Sequence, residues 1–579
     1  MFANAWSSFR FPSPRLFLSH AGRPEQGRVR SVERPNTQRQ GDATVPQTRN
    51  DVPDAPWWKS GVIYQIYPRS FQDTTGDGVG DLPGITQRLD HLVTLGVDAL
   101  WLSPFYPSPM ADFGYDVADY VNVDPLFGTL ADFDALVAAA HARGLKVIID
   151  LVPNHTSDAH PWFREARASR TSPKRDWYIW RDPAPDGGPP TNWLSEFGGS
   201  AWARDERSGQ YYYHAFLDRQ PDLNWRNPEV AHAIHEVMRF WLRRGVDGFR
   251  VDVIWHLLKD AAFRDNPPNP DYREGTNPYF RLLPVHTTDL AEVQEVVAGL
   301  RRVVDEFPDR VLIGEIYLPV ERLVAYYGAA LDGAHLPFNF ALLETPWTAR
   351  DIGALVARYE AALPQGGWPN WVLGNHDRPR ILKRVGPDQA RVAAMLLLTL
   401  RGTPTLYYGD EIGMAQVDVP PERVQDPYEK NVPGLGLGRD GVRTPMQWDG
   451  SPFAGFSQVE PWLPVSPDFT EINVAAERGD GHSMLSLHRR LLALRRAHPA
   501  LATGTYAPVA AEGDLLMFSR MDEEEQLLVA LNLGGDPLVV AAPEMEGQVL
   551  LSTFCDREGE PVAGDISLRA HEGVVVRRA

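Results

Sequence analysis

The chain has 579 residues, which is too long for one small domain and enough for a large barrel with additional parts. Its formal net charge of −19 argues against nucleic acid or an anionic membrane as the main partner, because both reward clustered lysine and arginine. No run of about 18 uncharged apolar residues occurs, so no membrane-spanning segment is expected. The single cysteine, Cys555, excludes an intrachain disulfide, and we expect a cytoplasmic protein.

Residues 1–50 differ in composition from the rest of the chain. They contain eight arginines, no lysine and three acids, so this segment carries a net charge of +5. It lacks the continuous apolar stretch of a secretory signal, although an arginine-rich, acid-poor segment is also typical of organelle transit peptides. We interpret it as an unstructured extension or a mis-assigned start, and leave it out of the fold.

From about residue 57, amphipathic helical patterns alternate with short apolar runs such as "DALWL", "LKVIID", "GFRVDV", "VLIGEIY" and "WVLGNHD". Repeated helix-strand units with glycine turns predict a parallel α/β fold, and the length favours a (β/α)8 TIM barrel. An aromatic stretch without a convincing helix predicts a small inserted domain after the third strand. Alternating strands near the end predict a C-terminal antiparallel β-sandwich. The expected bounds are 51–155 and 226–501 for the barrel, 156–225 for the insertion and 502–579 for the sandwich.

Acidic and histidine side chains follow the apolar runs at their carboxyl-terminal ends. In a (β/α)8 barrel these positions meet at the catalytic face. Any one of them alone is better explained as a helix cap or a structural ion pair, but four successive strands with the same feature indicate a functional site. The residues are Asp150, Asn154, His155, Arg250, Asp252, Glu315, Asn375, His376 and Asp377.

Eight segments in order resemble the α-amylase superfamily of glycoside hydrolases, and within it the α-glucosidase and oligo-1,6-glucosidase branch. They are "GVIYQIYPRSF", "DTTGDGVGDLPGI", "DLVPNHTS", "QPDLNW", "GFRVDV", "GEIYLP", "GNHD" and "GVRTPMQWD". The resemblance implies an exo-acting, retaining α-glucosidase that releases α-glucose from the non-reducing end of short oligosaccharides of the maltose or isomaltose type. It leaves the oligomeric state open.

The same resemblance implies a role for each matching residue. Asp252 would be the nucleophile, Glu315 the general acid and then base, and Asp377 the carboxylate that supports the transition state. Arg250 would keep Asp252 ionised by lowering its pKa, and Glu315, with no basic neighbour in sequence, would keep a high pKa. The residues expected to bind the sugar and close the pocket are Asp112, Tyr115, His155, Arg250, Val253, His376 and Arg443.

The loop "DTTGDGVGD" places oxygen atoms at alternating positions, like the first part of an EF-hand loop, but its twelfth position is Gly84 instead of glutamate. Related glucosidases hold a structural Ca²⁺ or Mg²⁺ here, usually with asparagine where this chain has threonine. The alternative is a tight Gly/Asp turn without a metal. The expected ligands are Asp73, Thr75, Asp77, the Val79 carbonyl and Asp81.

Two questions remain open in the sequence. In the family, valine after the nucleophile accompanies α-1,6 preference, so Val253 favours α-1,6 bonds, whereas "SPMADFGYD" and "GEIYLPVERLVAYYG" resemble maltose-active enzymes. A transglycosidase or sugar isomerase would use the same carboxylates, although the segment after Glu315 lacks the arginine-rich motif of sucrose isomerases. A non-catalytic scaffold of the same fold is the third alternative, and the retained acids argue against it.

Overall fold

The computed structural model describes residues 55–579, and its centre is a closed barrel of eight parallel strands. Each strand pairs with the next along the chain, and the last pairs with the first. The predicted fold class is confirmed. The strands are β1 (Ile63–Ile66), β2 (Ala99–Leu102), β3 (Lys146–Leu151), β4 (Gly248–Val251), β5 (Val311–Ile316), β6 (Leu336–Asn339), β7 (Asn370–Val372) and β8 (Thr403–Tyr407).

Helices surround the barrel, and the amphipathic ones bury their apolar side. In the helix that precedes β4, Asn227 caps the first turn, Pro228 stands at the first helical position, and Ile234, Met238 and Trp241 are buried. The longer helices are Leu82–Gln87, Leu89–Leu95, Leu130–Ala142, Pro228–Arg243, Val293–Val304, Ala349–Ala362, Pro387–Thr399 and Met484–Ala497. Shorter ones are Trp57–Ser60, Val320–Leu323, Ala341–Glu344, Ile381–Val385, Pro427–Asn431, Val474–Arg478 and Pro499–Ala502.

Strands β4 and β5 run so close together that the first position of β4 admits only glycine. A Cβ atom built on Gly248 would lie 2.4 Å from the Val311 carbonyl oxygen. The glycine therefore lets β4 reach its register with β5, in which Arg250 stands opposite Ile313.

The segment between β3 and β4 folds around its own aromatic core. Three short antiparallel strands, Trp180–Arg181, Trp202–Arg204 and Tyr211–Tyr213, form a sheet with the last in the middle. Trp193, Trp202 and Tyr213 pack beneath them. The expectation that this segment holds no helix is wrong, because Pro161–Ala168 is helical, with His160 as its cap and Pro161 at its first position.

The C-terminal part is antiparallel and has two sheets that share one apolar core. Val540, Ile566 and Leu568 of the two-stranded sheet pack with Val574 and Val576 of the six-stranded one. The six-stranded sheet contains, in spatial order, Thr505–Glu512, Leu515–Met521, Gln526–Asn532, Gly573–Arg578, Glu546–Ser552 and Pro561–Ala563. The small sheet contains Leu538–Val540 and Ile566–Leu568.

The predicted bounds of the domains stay a prediction, and the segment 1–50 lies outside the described residues. No helix within residues 55–579 is both long enough and apolar enough to cross a lipid bilayer.

Candidate active site

The ends of β3, β4 and β5 bring charged side chains to the mouth of the barrel. Asp150 stands opposite Arg250 in the register of β3 and β4. Since side chains alternate along a strand, Arg250 and Asp252 point to the same face, while Phe249 and Val251 lie fully buried beneath the helices. Glu315 reaches this mouth from the end of β5.

Arg250 is fully buried and touches three carboxyl groups. One of its guanidinium nitrogens, Nη1, donates to Asp150 Oδ1 at 2.7 Å and to Asp252 Oδ1 at 2.9 Å. The other, Nη2, lies 2.9 Å from Glu315 Oε2. Glu315 has no basic neighbour in sequence, as expected, but the fold brings Arg250 to it from the adjacent strand.

The effect of Arg250 on the nucleophile candidate also differs from the expectation. Burial, together with the Glu315 carboxylate, raises the pKa of Asp252 well above its usual range, and the opposing charge of Arg250 does not compensate. Burial likewise raises the pKa of Asp150 in spite of Arg250. Asp150 and Asp252, which share one guanidinium, thus retain protons that isolated carboxyl groups would lose.

The residue after Asp252 has an unusual backbone conformation. Val253 adopts φ 38° and ψ 47°, a left-handed conformation that a β-branched residue rarely takes. In this conformation its N–H donates to Glu315 Oε2 at 2.9 Å. The strained peptide therefore helps to fix Glu315, and the Val253 side chain itself is almost fully buried.

Asp377 follows β7 and lies between two arginines. Arg443 Nη2 donates to Asp377 Oδ1 at 2.8 Å, and Arg439 Nη1 donates to the same oxygen at 3.3 Å. Burial works against ionisation, but the positive charges of Arg439 and Arg443 outweigh it and hold the pKa of Asp377 below its usual range. Asp377 is therefore the carboxylate of this group that stays ionised.

The remaining predicted residues form a hydrogen-bonded wall beside these acids. The Tyr115 hydroxyl lies 2.7 Å from His376 Nε2 and 3.1 Å from Asp150 Oδ2, and its ring stacks on the His376 ring. His155 Nε2 is 3.1 Å from the Tyr115 carbonyl oxygen, and burial lowers the pKa of His155 to about 4. Both histidines are neutral at pH 7, since burial also depresses the pKa of His376.

"QPDLNW" is part of this wall and is not an exposed turn. Gln220 Nε2 donates to Asp112 Oδ2 at 3.3 Å and lies 3.1 Å from His155 Nε2. The carboxylate of Asp222, also fully buried, accepts from Lys259 and from Asn154 Nδ2. The motif therefore ties the inserted segment to the loop that follows β3.

Two residues at the site were missed in the sequence. Arg439 Nη2 donates at 2.7 Å to both Asp112 and Asp426, so this arginine links Asp112 to Asp377. It stands four residues before Arg443 and two residues before the start of the motif "GVRTPMQWD", so the motif does not contain it. The second is Glu196, which comes from an irregular loop of the insertion and gave no periodic signal.

The loop 73–81 uses its carboxylates as hydrogen-bond acceptors. Asp73 accepts from the N–H groups of Thr75, Gly76 and Gly78, and Asp81 accepts from Thr74 and caps the helix that follows. The hydrogen bond from the Gly78 N–H, at the sixth position of the loop, to Asp73, at the first position, is also found in EF-hand loops. Between residues 55 and 579, no group of three or more His, Cys, Asp or Glu side chains is placed to hold a metal ion. The backbone thus suits a cation-binding turn, whereas the carboxylates do not converge on one point.

A closed (β/α)8 barrel with paired carboxyl groups at its mouth defines a barrel enzyme equipped for retaining glycoside chemistry. The family model of the alpha-amylase catalytic domain matches residues 65–504. The chain belongs to this family of glycoside hydrolases, and the recognition from eight motifs is confirmed.

The proteins that are similar to this chain carry names that describe different reactions. A probable alpha-glucosidase of Rhizobium meliloti is 45% identical, with 87% of this chain and 95% of the relative covered. An oligo-1,6-glucosidase of Halalkalibacterium halodurans is 40% identical, with coverage of 87% and 95%. The crystal structure of an alpha-glucosyl transfer enzyme shares 44% identity with a TM-score of 0.86, covering 91% of this chain and all of the other. The trehalulose synthase of Pseudomonas mesoacidophila shares 35% identity with a TM-score of 0.84, covering 91% and 100%.

Proposed function

We propose that the protein is an exo-acting, retaining α-glucosidase that releases α-glucose from the non-reducing end of short α-linked oligosaccharides. The observation that carries the proposal is the convergence of Asp252, Glu315 and Asp377 on one pocket. The two most similar curated relatives described above, named alpha-glucosidase and oligo-1,6-glucosidase, support it.

Double displacement assigns a separate task to each carboxyl group. Asp252 attacks the anomeric carbon while Glu315 donates its proton to the glycosidic oxygen, so that the leaving sugar departs with that proton. Glu315, now ionised, takes a proton from water, and this water attacks the glucosyl ester and releases α-glucose. Asp377, held ionised by its arginines, stabilises the positive charge that develops on the sugar ring.

Before substrate binds, the raised pKa of Asp252 favours a proton on this carboxyl group. The reaction needs the proton on Glu315 and the charge on Asp252. A glycosidic oxygen placed beside Glu315 offers the proton an acceptor there, and Arg250 remains to stabilise Asp252 as an anion. Arg250 thus serves both carboxyl groups in turn.

The exo-action follows from the groups that close one end of the pocket. Arg439 joins Asp112 to Asp377, and Gln220 joins Asp112 to His155. We infer that these hydroxyl-binding groups close one end of the pocket, so that a longer chain is not accommodated there. A terminal glucose fits such a pocket better than an internal one.

The proposal is tested with maltose, isomaltose, sucrose, trehalose and nigerose, followed by proton NMR. We expect glucose from at least one α-linked disaccharide and α-glucose as the first-formed anomer. First-formed β-glucose would contradict double displacement. A complete lack of hydrolysis across the panel would contradict the function.

Transglycosylation is the second candidate, and the similarity to an alpha-glucosyl transfer enzyme favours it specifically. Water and a sugar hydroxyl compete for the same glucosyl ester on Asp252, so transfer requires only a sugar bound in place of water. Products from sucrose alone separate the candidates, because an isomerase forms a new disaccharide while a hydrolase forms glucose and fructose.

We also propose a structural Ca²⁺ or Mg²⁺ in the loop 73–81, supported by the EF-hand-like turn and its five oxygen-bearing positions. A cation there would stabilise the fold and take no part in the chemistry.

Location in the cytoplasm is a further proposal, supported by the lone cysteine, Cys555, which is buried and unpaired. Cell fractionation tests it.

A further inference from the structure

A partly buried acid outside the assigned machinery lies near the same pocket. Glu196 belongs to the inserted segment, and its side chain is 22% exposed. Its backbone N–H donates to the Ala215 carbonyl oxygen at 2.8 Å, and the neighbouring Ser195 hydroxyl donates to the Phe216 carbonyl oxygen at 2.6 Å. The peptide is therefore fixed, which holds the carboxyl group in one place.

The surroundings of Glu196 connect it to the loops that follow Asp252 and Asp377. The Tyr279 hydroxyl hydrogen-bonds Glu196, and His256, from the loop after the nucleophile candidate, lies 3.7 Å from Glu196 Oε1. Arg378, directly after Asp377, and Glu315 are both near enough to act on its charge. Asp112 and Arg443 lie with Asp377 at the other, closed end of the pocket.

Glu196 retains unused hydrogen-bonding capacity. The distance of 3.7 Å between His256 Nε2 and Glu196 Oε1 is too long for a hydrogen bond. Of these two neighbours, Tyr279 alone hydrogen-bonds the Glu196 carboxyl group. Burial raises the pKa of Glu196 to about 7, so near neutral pH the carboxyl group both donates and accepts. Sugar hydroxyl groups likewise donate and accept, and they match such a group in either protonation state.

We propose that Glu196 binds a hydroxyl group of the sugar on the leaving-group side, and so favours sugar leaving groups and sugar acceptors over aglycones that lack hydroxyl groups. The inference rests on the proposed α-glucosidase function. The reaction itself uses Asp252 and Glu315 as before. Glu196 is a specificity-determining residue in this scheme.

The test compares two classes of donor, disaccharides and an aryl glucoside, in two variants of Glu196. Glu196→Leu removes the hydrogen-bonding group, and Glu196→Gln keeps its shape and polarity. Each is assayed for kcat/KM with maltose, isomaltose and 4-nitrophenyl α-glucoside, whose aryl leaving group bears no hydroxyl. Glu206→Leu is the matched control, because Glu206 lies in the same insertion with a side chain that is 81% exposed.

We expect Glu196→Leu to lower kcat/KM about tenfold for the disaccharide that the unmodified protein prefers, because a site built to bond a hydroxyl group loses that bond. The kcat/KM for the aryl glucoside stays within about twofold. Glu196→Gln retains most of the disaccharide activity, and Glu206→Leu all of it. With the aryl glucoside as donor and maltose as acceptor, the ratio of transfer to hydrolysis also falls in the leucine variant.

Equal losses on both classes of substrate would mean that Glu196 only supports Glu315 or the fold, and this would overturn the inference. Unchanged disaccharide activity in Glu196→Leu would overturn it as well, while leaving the proposed function intact. Failure of the unmodified protein to hydrolyse any α-glucoside would overturn the proposed function, and the inference with it.

Discussion

Replacing Arg439 with lysine tests the closed end of the pocket, because this arginine connects three carboxylates with one planar group. Its guanidinium donates to Asp112 and Asp426 at 2.7 Å and to Asp377 at 3.3 Å. A lysine ammonium keeps the charge but has one nitrogen, so it cannot reproduce the fork that spans Asp112 and Asp377.

The size of the effect follows from the bonds that are lost. A hydrogen bond to a charged group contributes about 1.5–3 kcal/mol. If lysine keeps one contact and loses two, each taken at the lower end of this range, the loss is about 3 kcal/mol, which corresponds to about a 100-fold lower kcat/KM at about 1.4 kcal/mol for each factor of ten. The loss falls on transition-state binding, because Asp377 is one of the two displaced partners.

The assay measures kcat/KM with 4-nitrophenyl α-glucoside, and the urea midpoint verifies that the variant is folded. Arg423→Lys is the matched control, since Arg423 forms an exposed pair with Glu460 at 2.5 Å away from the acids. An Arg439→Lys variant within about threefold of the unmodified protein would refute the role of this arginine in the pocket.

Further predictions concern Asp252 and Glu315, the residue Val253 and the loop 73–81. Asp252→Asn and Glu315→Gln each lose hydrolysis by about three or more orders of magnitude while folding normally; near-normal turnover would contradict the roles. Asp252→Asn also raises the urea midpoint at pH 7, because the raised pKa of the folded carboxyl makes stability fall as pH rises above the unfolded pKa; an unchanged or lower midpoint would count against this. Activity increases as pH rises through that raised pKa, since Asp252 attacks only when it is ionised, and a pH–rate profile of kcat/KM without an acid limb would contradict it. Val253→Thr shifts the maltose-to-isomaltose ratio toward maltose, and an unchanged ratio would remove Val253 from bond selection. Ca²⁺ raises the melting temperature of the protein but not of Asp73→Asn, and equal responses would exclude the cation.

The strand pattern predicted the barrel because parallel buried strands leave long apolar runs bounded by glycine turns. One strand did not give this signal. β6 is Leu336–Asn339, four residues with a proline and an asparagine, and only its pairing with β5 and β7 makes it a strand. Its identity depends on neighbours far along the chain, so local pattern could not reveal it.

The site shows the same division between local and distant information. Acids at strand ends were found because the barrel repeats one geometry, which puts every such position at the same mouth. Arg439 and Glu196 lie on irregular loops whose paths are set by packing, for instance by the contact of the Arg439 guanidinium with the Phe197 ring at 5.2 Å. Nothing periodic marks such residues, and only the folded chain brings them to the acids.

The electrostatics could not be predicted from the local sequence for a related reason. "GFRVDV" shows one arginine beside one aspartate and leads to the expectation of a simple pair. In the fold, the same guanidinium also meets Asp150 from β3 and Glu315 from β5. One positive charge among three buried carboxyl groups cannot hold all of them ionised, because each added negative charge raises the pKa of the others. Arg250 therefore orients the nucleophile candidate and at the same time leaves the cluster with a proton, and a retaining glycosidase needs both a charged nucleophile and a protonated acid at this place.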